Sequence, residues 1–153
     1  AIRDDYVDPF TGISEDEWAY KGSAILDLGQ SGWQVGGWYA KDSGHTQYVT
    51  GYFSREIDEE WGVQVNGAVA ANLSVYAMYS EASGLQNSPL LGAPFDVELT
   101  QLAVGAVWAP VSGLTVQLEY ANTETDFRGN FGGTVGFHTN ETESVSVRVT
   151  RSF

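Results

Sequence analysis

The chain has 153 residues, no Cys, and 20 Asp+Glu against 7 Lys+Arg, which gives a formal net charge of −13. This length suits one domain, the absence of Cys excludes disulfides and thiolate chemistry, and the negative charge argues against a nucleic-acid partner because phosphates are repelled. No run of about 18 apolar residues predicts a transmembrane helix. No apolar h-region opens the chain, so we expect a signal peptide to have been removed or never to have existed.

The composition favours β structure. It contains 18 Gly, 8 Tyr, 7 Phe and 5 Trp but only 4 Pro, and the mean hydropathy is −0.19. A near-neutral hydropathy with many aromatic residues is typical of a transmembrane barrel, in which only every second residue meets lipid. We therefore expect an all-β fold, an antiparallel transmembrane β-barrel.

Period-two alternation of apolar and polar residues marks the predicted strands. In chain order these are 18–28, 33–39, 61–69, 73–79, 102–108, 114–120 and 144–153. An eighth strand is left open at 47–54, where Tyr48, Val49, Tyr52 and Phe53 favour β structure but alternate poorly. The chain is thus expected to supply seven to eight strands, with residues 1–16 as an acidic loop or leader and 17–153 as the antiparallel strands.

The predicted links fall into two length classes. Tight turns are expected at 29–32, 71–72 and 110–113, and long polar loops at 82–97 and 122–142. Short turns on one side and long loops on the other are typical of an outer-membrane barrel. In the seven-strand reading 41–60 is a further long loop and the acidic opening lies outside the cell. In the eight-strand reading the N-terminus lies in the periplasm.

Two sets of residues are candidates for function. The polar rows that oppose the apolar rows would line a lumen; the residues chosen as pore-lining are Lys21, Asp27, Gln64, Asn66, Gln117, Glu119 and Arg148. The alternative is that they pair with one another and fill a small barrel. Aromatic residues at strand ends would form the girdles at the membrane interfaces: Trp18, Trp33, Trp61, Tyr79, Trp108, Tyr120 and Phe153.

Two short motifs carry a family resemblance. The final strand ends Arg151-Ser152-Phe153, which resembles the C-terminal insertion signal of bacterial outer-membrane proteins. The stretch Val107-Trp108-Ala109-Pro110-Val111-Ser112-Gly113-Leu114 resembles the periplasmic turn before the last two strands of alphaproteobacterial porins. These matches cover roughly the last third of the chain. The segment Gly32 to Tyr39 is compatible with that family.

The resemblance implies a sixteen-stranded homotrimeric porin of a Gram-negative outer membrane, surrounded by lipid and lipopolysaccharide, that lets small hydrophilic solutes and ions diffuse passively. At seven to eight strands this chain would be its C-terminal half, with the remaining strands as a partner. The alternative is a complete eight-stranded barrel with a structural or adhesive role. A soluble barrel of lipocalin type is disfavoured because its outward apolar rows would meet water.

No catalytic constellation is visible, so we expect neither an enzyme nor a cofactor. His45 and His138 lie far apart in predicted loops, which disfavours a metal pair. Calcium is an alternative at the acidic opening, whose oxygen ligands would be Asp4, Asp5, Asp8, Glu15, Asp16 and Glu17, although the spacing is not that of an EF-hand.

Overall fold

The computed structural model describes residues 2–7, 14–42, 58–87, 94–131 and 134–152, which form one antiparallel sheet. Seven strands of 10 to 18 residues and one of six follow in chain order, each paired with the one before it. They are β1 Ile2–Val7, β2 Ser14–Asp27, β3 Trp33–Asp42, β4 Glu59–Ala70, β5 Leu73–Asn87, β6 Pro94–Val111, β7 Leu114–Phe131 and β8 Thr134–Arg151. The described residues contain no α-helix, and a 3-10 turn, Gly29–Ser31, joins β2 to β3. The predicted all-β antiparallel fold is confirmed.

The tight turns are close to their predicted positions. Ala71 and Asn72 connect β4 to β5, and Ser112 and Gly113 connect β6 to β7. Pro110 and Val111 belong to β6, so the second turn is shorter than expected. Gly113 has φ 78°, a conformation that glycine adopts without strain. A Cβ there would lie 2.7 Å from the Ser152 carbonyl oxygen.

The prediction of two long loops at 82–97 and 122–142 is wrong. β5 continues to Asn87 and β6 begins at Pro94; β7 continues to Phe131 and β8 begins at Thr134. Period-two alternation persists through these stretches, as in Asp96-Val97-Glu98-Leu99. The apolar residues there fall on the opposite face from those in the part of each strand nearer the tight turns, so the polar row resembled a loop.

The N-terminal region also differs from the prediction. Within the expected loop or leader 1–16, β1 pairs with β2 in a register that sets Asp4 opposite Glu17. β1 thus brings the strands of the described residues to eight. The alternative at 47–54 lies outside the described residues. The strand parity therefore differs from that of the seven-strand alternative, because β1 is antiparallel to β2 and runs away from the edge of the sheet that carries the tight turns.

The sheet is open and has almost no core of its own. No ladder joins β1 to β8 within the described parts of the chain. The buried apolar side chains are mostly alanine: Ala19, Ala40, Val97, Leu99, Ala103 and Ala121. A compact monomer of this mass exposes about 7,600 Å², whereas this chain exposes 10434 Å². The sheet therefore leaves apolar surface that a globular protein would bury.

Candidate functional site

The strand register gathers the predicted apolar rows onto one face of the sheet, here named the Val147 face. Leu118 pairs with Val147 and with Ala106, and Ala106 pairs with Val75. The neighbouring row on the same face runs from Ala77 through Val65 and Val35 to Leu26. Because side chains alternate between faces along a strand, the rows join into one apolar band. Its members are Ala24, Leu26, Val35, Gly37, Val63, Val65, Val75, Ala77, Leu102, Val104, Ala106, Val116, Leu118, Val145, Val147 and Val149.

The apolar band is uncovered. Leu26 is 65% exposed, Leu118 51% and Val147 65%, so the band is open on β2, on β7 and on β8. Single exposed apolar side chains are ordinary on soluble proteins, but a contiguous apolar face marks a surface that meets lipid or another chain. The band is thus a continuous apolar surface across β2 to β8 of the described sheet.

An aromatic collar borders the band on the side away from the tight turns. It consists of Tyr39, Trp61, Tyr79 and Tyr120, all on the Val147 face. Tyr39 Oη donates to Glu59 Oε1 at 2.9 Å, Trp61 Nε1 to Glu81 Oε2 at 3.1 Å and Tyr120 Oη to Glu143 Oε1 at 3.1 Å; Tyr79 Oη also donates to Glu81. Each ring therefore has an apolar body beside the band and a polar atom on a carboxylate beyond it.

The predicted position of these aromatics at strand ends needs correction. Tyr79 and Tyr120 lie in the middle of β5 and β7, because both strands continue past the expected loop boundaries. At the opposite border of the band, Trp33 packs over Gly67 and Trp108 is exposed near the turn that follows β6. The aromatics thus mark the two borders of the apolar band rather than the ends of the strands.

Above the collar the character of each face is reversed. The Val147 face carries an acidic belt, made of Glu59, Glu81, Asp96, Glu98, Glu124, Asp126, Glu141 and Glu143. The opposite face, here named the Arg148 face, carries an apolar cluster in which Ala40, Val97 and Leu99 are buried and Ala82, Phe95 and Phe127 pack against them. On the Val147 face, β4 to β8 thus carry apolar residues between the collar and the tight turns, and acidic residues beyond the collar.

One ion pair at the acidic belt shifts the pKa values of both of its members. Lys41 Nζ lies 3.1 Å from Glu59 Oε2. The hydrogen bond from Lys41, helped by one from Tyr39, holds the pKa of the Glu59 carboxyl below its ordinary value, and the same pair raises the pKa of Lys41. The pair is partly exposed, so it adds little to stability.

All of the residues chosen as pore-lining occupy the Arg148 face by register. Asp27 accepts a hydrogen bond from Gln34 Nε2 at 2.6 Å, and Gln64 packs over Gly36. Lys21 pairs with Ala40, Asn66 with Tyr76, and Gln117 with Arg148. This placement brings them together on one face of the sheet. Ile25, 65% exposed, is an apolar exception on this face that nothing in the structure explains.

The sequence analysis missed Tyr76, which lies at the centre of the Arg148 face. Tyr76 reaches from β5 across Gly105 of β6 to β7, where its Oη donates to Glu119 and accepts from Gln117 Nε2 at 2.8 Å. A Cβ at Gly105 would overlap the Tyr76 ring. The signal available in the sequence was that Tyr76 occupies a polar row, where a large aromatic with a hydroxyl needs a partner.

Several predicted residues cannot be placed. Phe153, His45 and Asp8 lie outside the described residues, and the side chains of Trp18 and the acidic opening are not described, so calcium there stays a prediction. His138 stacks on Phe127 with ring centroids 6.1 Å apart. Within the described ranges no group of acidic residues and histidines is arranged to hold a metal ion. No helix in the same ranges is long and apolar enough to cross a membrane.

Comparison with known protein families, with characterised proteins and with solved structures finds no match in any of the three. The likeness to porins consequently depends on the motifs quoted above, and the outer-membrane location, the trimer and the solutes stay predictions.

Proposed function

We propose that this chain forms part of the wall of a water-filled β-barrel in a bacterial outer membrane, through which small hydrophilic solutes and ions diffuse. The observation that carries the proposal is the continuous apolar band on the Val147 face, bordered on both sides by aromatic residues. Lipid covers such a band, and amphipathic rings lie at the level of the headgroups. The resemblance to alphaproteobacterial porins supports the same function.

The reversal of the faces at the collar gives independent support. A strand that leaves the membrane must exchange lipid for water on its outer side, and the outer residues change there from valine and leucine to glutamate and aspartate. A tilted strand needs 9 to 11 residues to cross a bilayer; β3 has 10, and β2 and β4 to β8 have 12 to 18. The polar Arg148 face below the collar would then meet water in the lumen.

Single-cysteine labelling tests this proposal cleanly because the chain has no Cys. Val147→Cys and Arg148→Cys place an environment-sensitive fluorophore on opposite faces at adjacent positions. In lipid vesicles we expect blue-shifted emission at position 147 that aqueous iodide does not quench. At position 148 we expect emission typical of water and efficient quenching. Equal quenching at both positions would exclude the membrane wall.

A complete small barrel with a structural or adhesive role is the second candidate. It is favoured by the eight strands and by the opposite directions of β1 and β8, which would allow antiparallel closure. Hydrogen exchange separates the two candidates. If β8 is an edge strand in the isolated chain, alternate amides of β8 exchange rapidly, because only every second N–H faces β7. If the chain closes on itself, all of them are protected.

A further inference from the structure

Tyr76 holds one carboxylate of the Arg148 face in a fixed direction. Its ring lies over Gly105, and its Oη donates to Glu119 two strands away while accepting from Gln117. The register aligns Tyr76, Gly105 and Glu119 in one row. Glu119 is therefore drawn from β7 towards β5, away from β8.

Arg148 lies on the other side of β7, within electrostatic range of the Tyr76 hydroxyl. It pairs in register with Gln117, so Glu119 is its diagonal neighbour on the adjacent strand. Diagonal neighbours lie about 7–8 Å apart at Cα, within the reach of long side chains. Within the described part of the chain Arg148 nevertheless makes no ion pair or hydrogen bond, and its side chain is exposed. The bond from Tyr76 explains why the two opposite charges stay apart.

We propose that Tyr76 is a positioning residue for solute selectivity: by holding Glu119 towards β5 it keeps the Arg148 guanidinium available to the carboxylate or phosphate groups of passing solutes. The inference deepens the proposed function, since it assumes that the Arg148 face meets solutes. Arginine suits this role because it stays charged and its planar group binds carboxylate and phosphate oxygens in pairs. Without Tyr76 Oη, Glu119 would neutralise it.

The chemical reactivity of Arg148 tests the proposal without requiring conduction. The refolded chain in detergent micelles is treated with phenylglyoxal, which modifies exposed arginine, and the rate at each arginine is followed by peptide mass spectrometry. We expect Tyr76→Phe to slow modification of Arg148 by about two- to five-fold, the strength of an exposed ion pair. Arg128, whose guanidinium lies 5.4 Å from the centroid of the Phe137 ring, is the internal reference and should not change.

Two variants control the interpretation. Adding Glu119→Gln to Tyr76→Phe removes the competing carboxylate, so the rate at Arg148 should return to that of the unaltered chain. Tyr79→Phe removes a tyrosine–glutamate bond on the other face of β5 and should leave the rate unchanged. Equal rates at Arg148 in the unaltered chain and in Tyr76→Phe, or no recovery in the double variant, would overturn the proposal.

The unaltered chain gives a second test if Tyr76→Phe fails to fold. Inorganic phosphate should protect Arg148 from phenylglyoxal more strongly than it protects Arg128; equal protection would contradict an available anion contact. Both measurements are made in micelles, whereas the proposed membrane wall is tested by fluorophores at positions 147 and 148 in vesicles. Failure of the proposed role of Tyr76 can thus be distinguished from failure of the proposed membrane wall.

Discussion

At the scale of single residues, large aromatic rings pack over glycines directly opposite on the next strand. Trp38 covers Gly62, Trp33 covers Gly67 and Tyr76 covers Gly105. An aromatic ring shields the backbone that glycine leaves bare, a device known to stabilise sheets. The Trp38 ring is also held in place by a hydrogen bond, since its Nε1 donates to Glu60 Oε1 at 2.8 Å.

Gly62→Ala should therefore destabilise the sheet although alanine is intrinsically the better strand residue. The new Cβ would overlap the Trp38 indole, and overpacking of this kind costs about 1–3 kcal/mol. The matched control is Gly22→Ala, where a Cβ meets nothing within 4 Å and the change should be neutral or slightly stabilising. Urea unfolding in micelles measures both; equal midpoints for the two variants would show that the ring moves aside freely.

The Lys41–Glu59 pair makes a prediction about pH. Because the pair lowers the pKa of Glu59 in the folded state, its stabilisation is present above the ordinary carboxyl pKa and is lost as the pH falls through the lowered pKa. Lys41→Met should raise the pKa of Glu59 towards its ordinary value, with Tyr39 still acting in the opposite direction. A ¹³C titration of the carboxyl carbon follows this; an unchanged midpoint would mean that Lys41 is not the main cause.

At the scale of elements, the parts of β6 and β7 beyond the aromatic collar are ordered by the apolar cluster that packs on their Arg148 face. Leu99 is 6% exposed there, so Leu99→Ala should lower the free energy of unfolding by about 2–3 kcal/mol. It should also speed amide exchange in 94–99. Glu98→Gln changes the neighbouring residue on the acidic belt and should stay within about 0.5 kcal/mol. If both variants behave alike, the cluster does not order these strands.

The strands also show which parts of the fold could be predicted from the sequence. Every strand with an apolar row on the Val147 face was found, because alternation along a strand reports directly which side chains share a face. The halves above the collar were missed, since the apolar residues there, such as Val97 and Phe127, change face and their acidic neighbours resemble a loop. The hydrogen bonds of Tyr76 could not be foreseen, because they depend on a register that joins β5 to β7 across an intervening glycine.

At the scale of the whole molecule, the open sheet bears on conduction. Small exposed residues on the Arg148 face, among them Ala68 and Ser146, fill the interior of an eight-stranded barrel poorly and suit the wall of a wider one. We expect the isolated chain to show no defined conductance steps in planar bilayers. Reproducible single-channel steps from the purified chain would contradict this and would favour closure by the chain alone.

The uncovered edge of β8 has a consequence for when the protein can fold. All 18 residues of this strand lie at the border of the sheet, with a row of backbone N–H and C=O groups that has no partner within the described residues. In water, such an edge beside an exposed apolar band would recruit other copies of the same strand and lead to aggregation. If the Val147 face meets lipid as proposed, the chain would avoid aggregation by remaining unfolded until lipid and a neighbouring strand are both present, and folding, insertion and edge pairing would then occur as a single event.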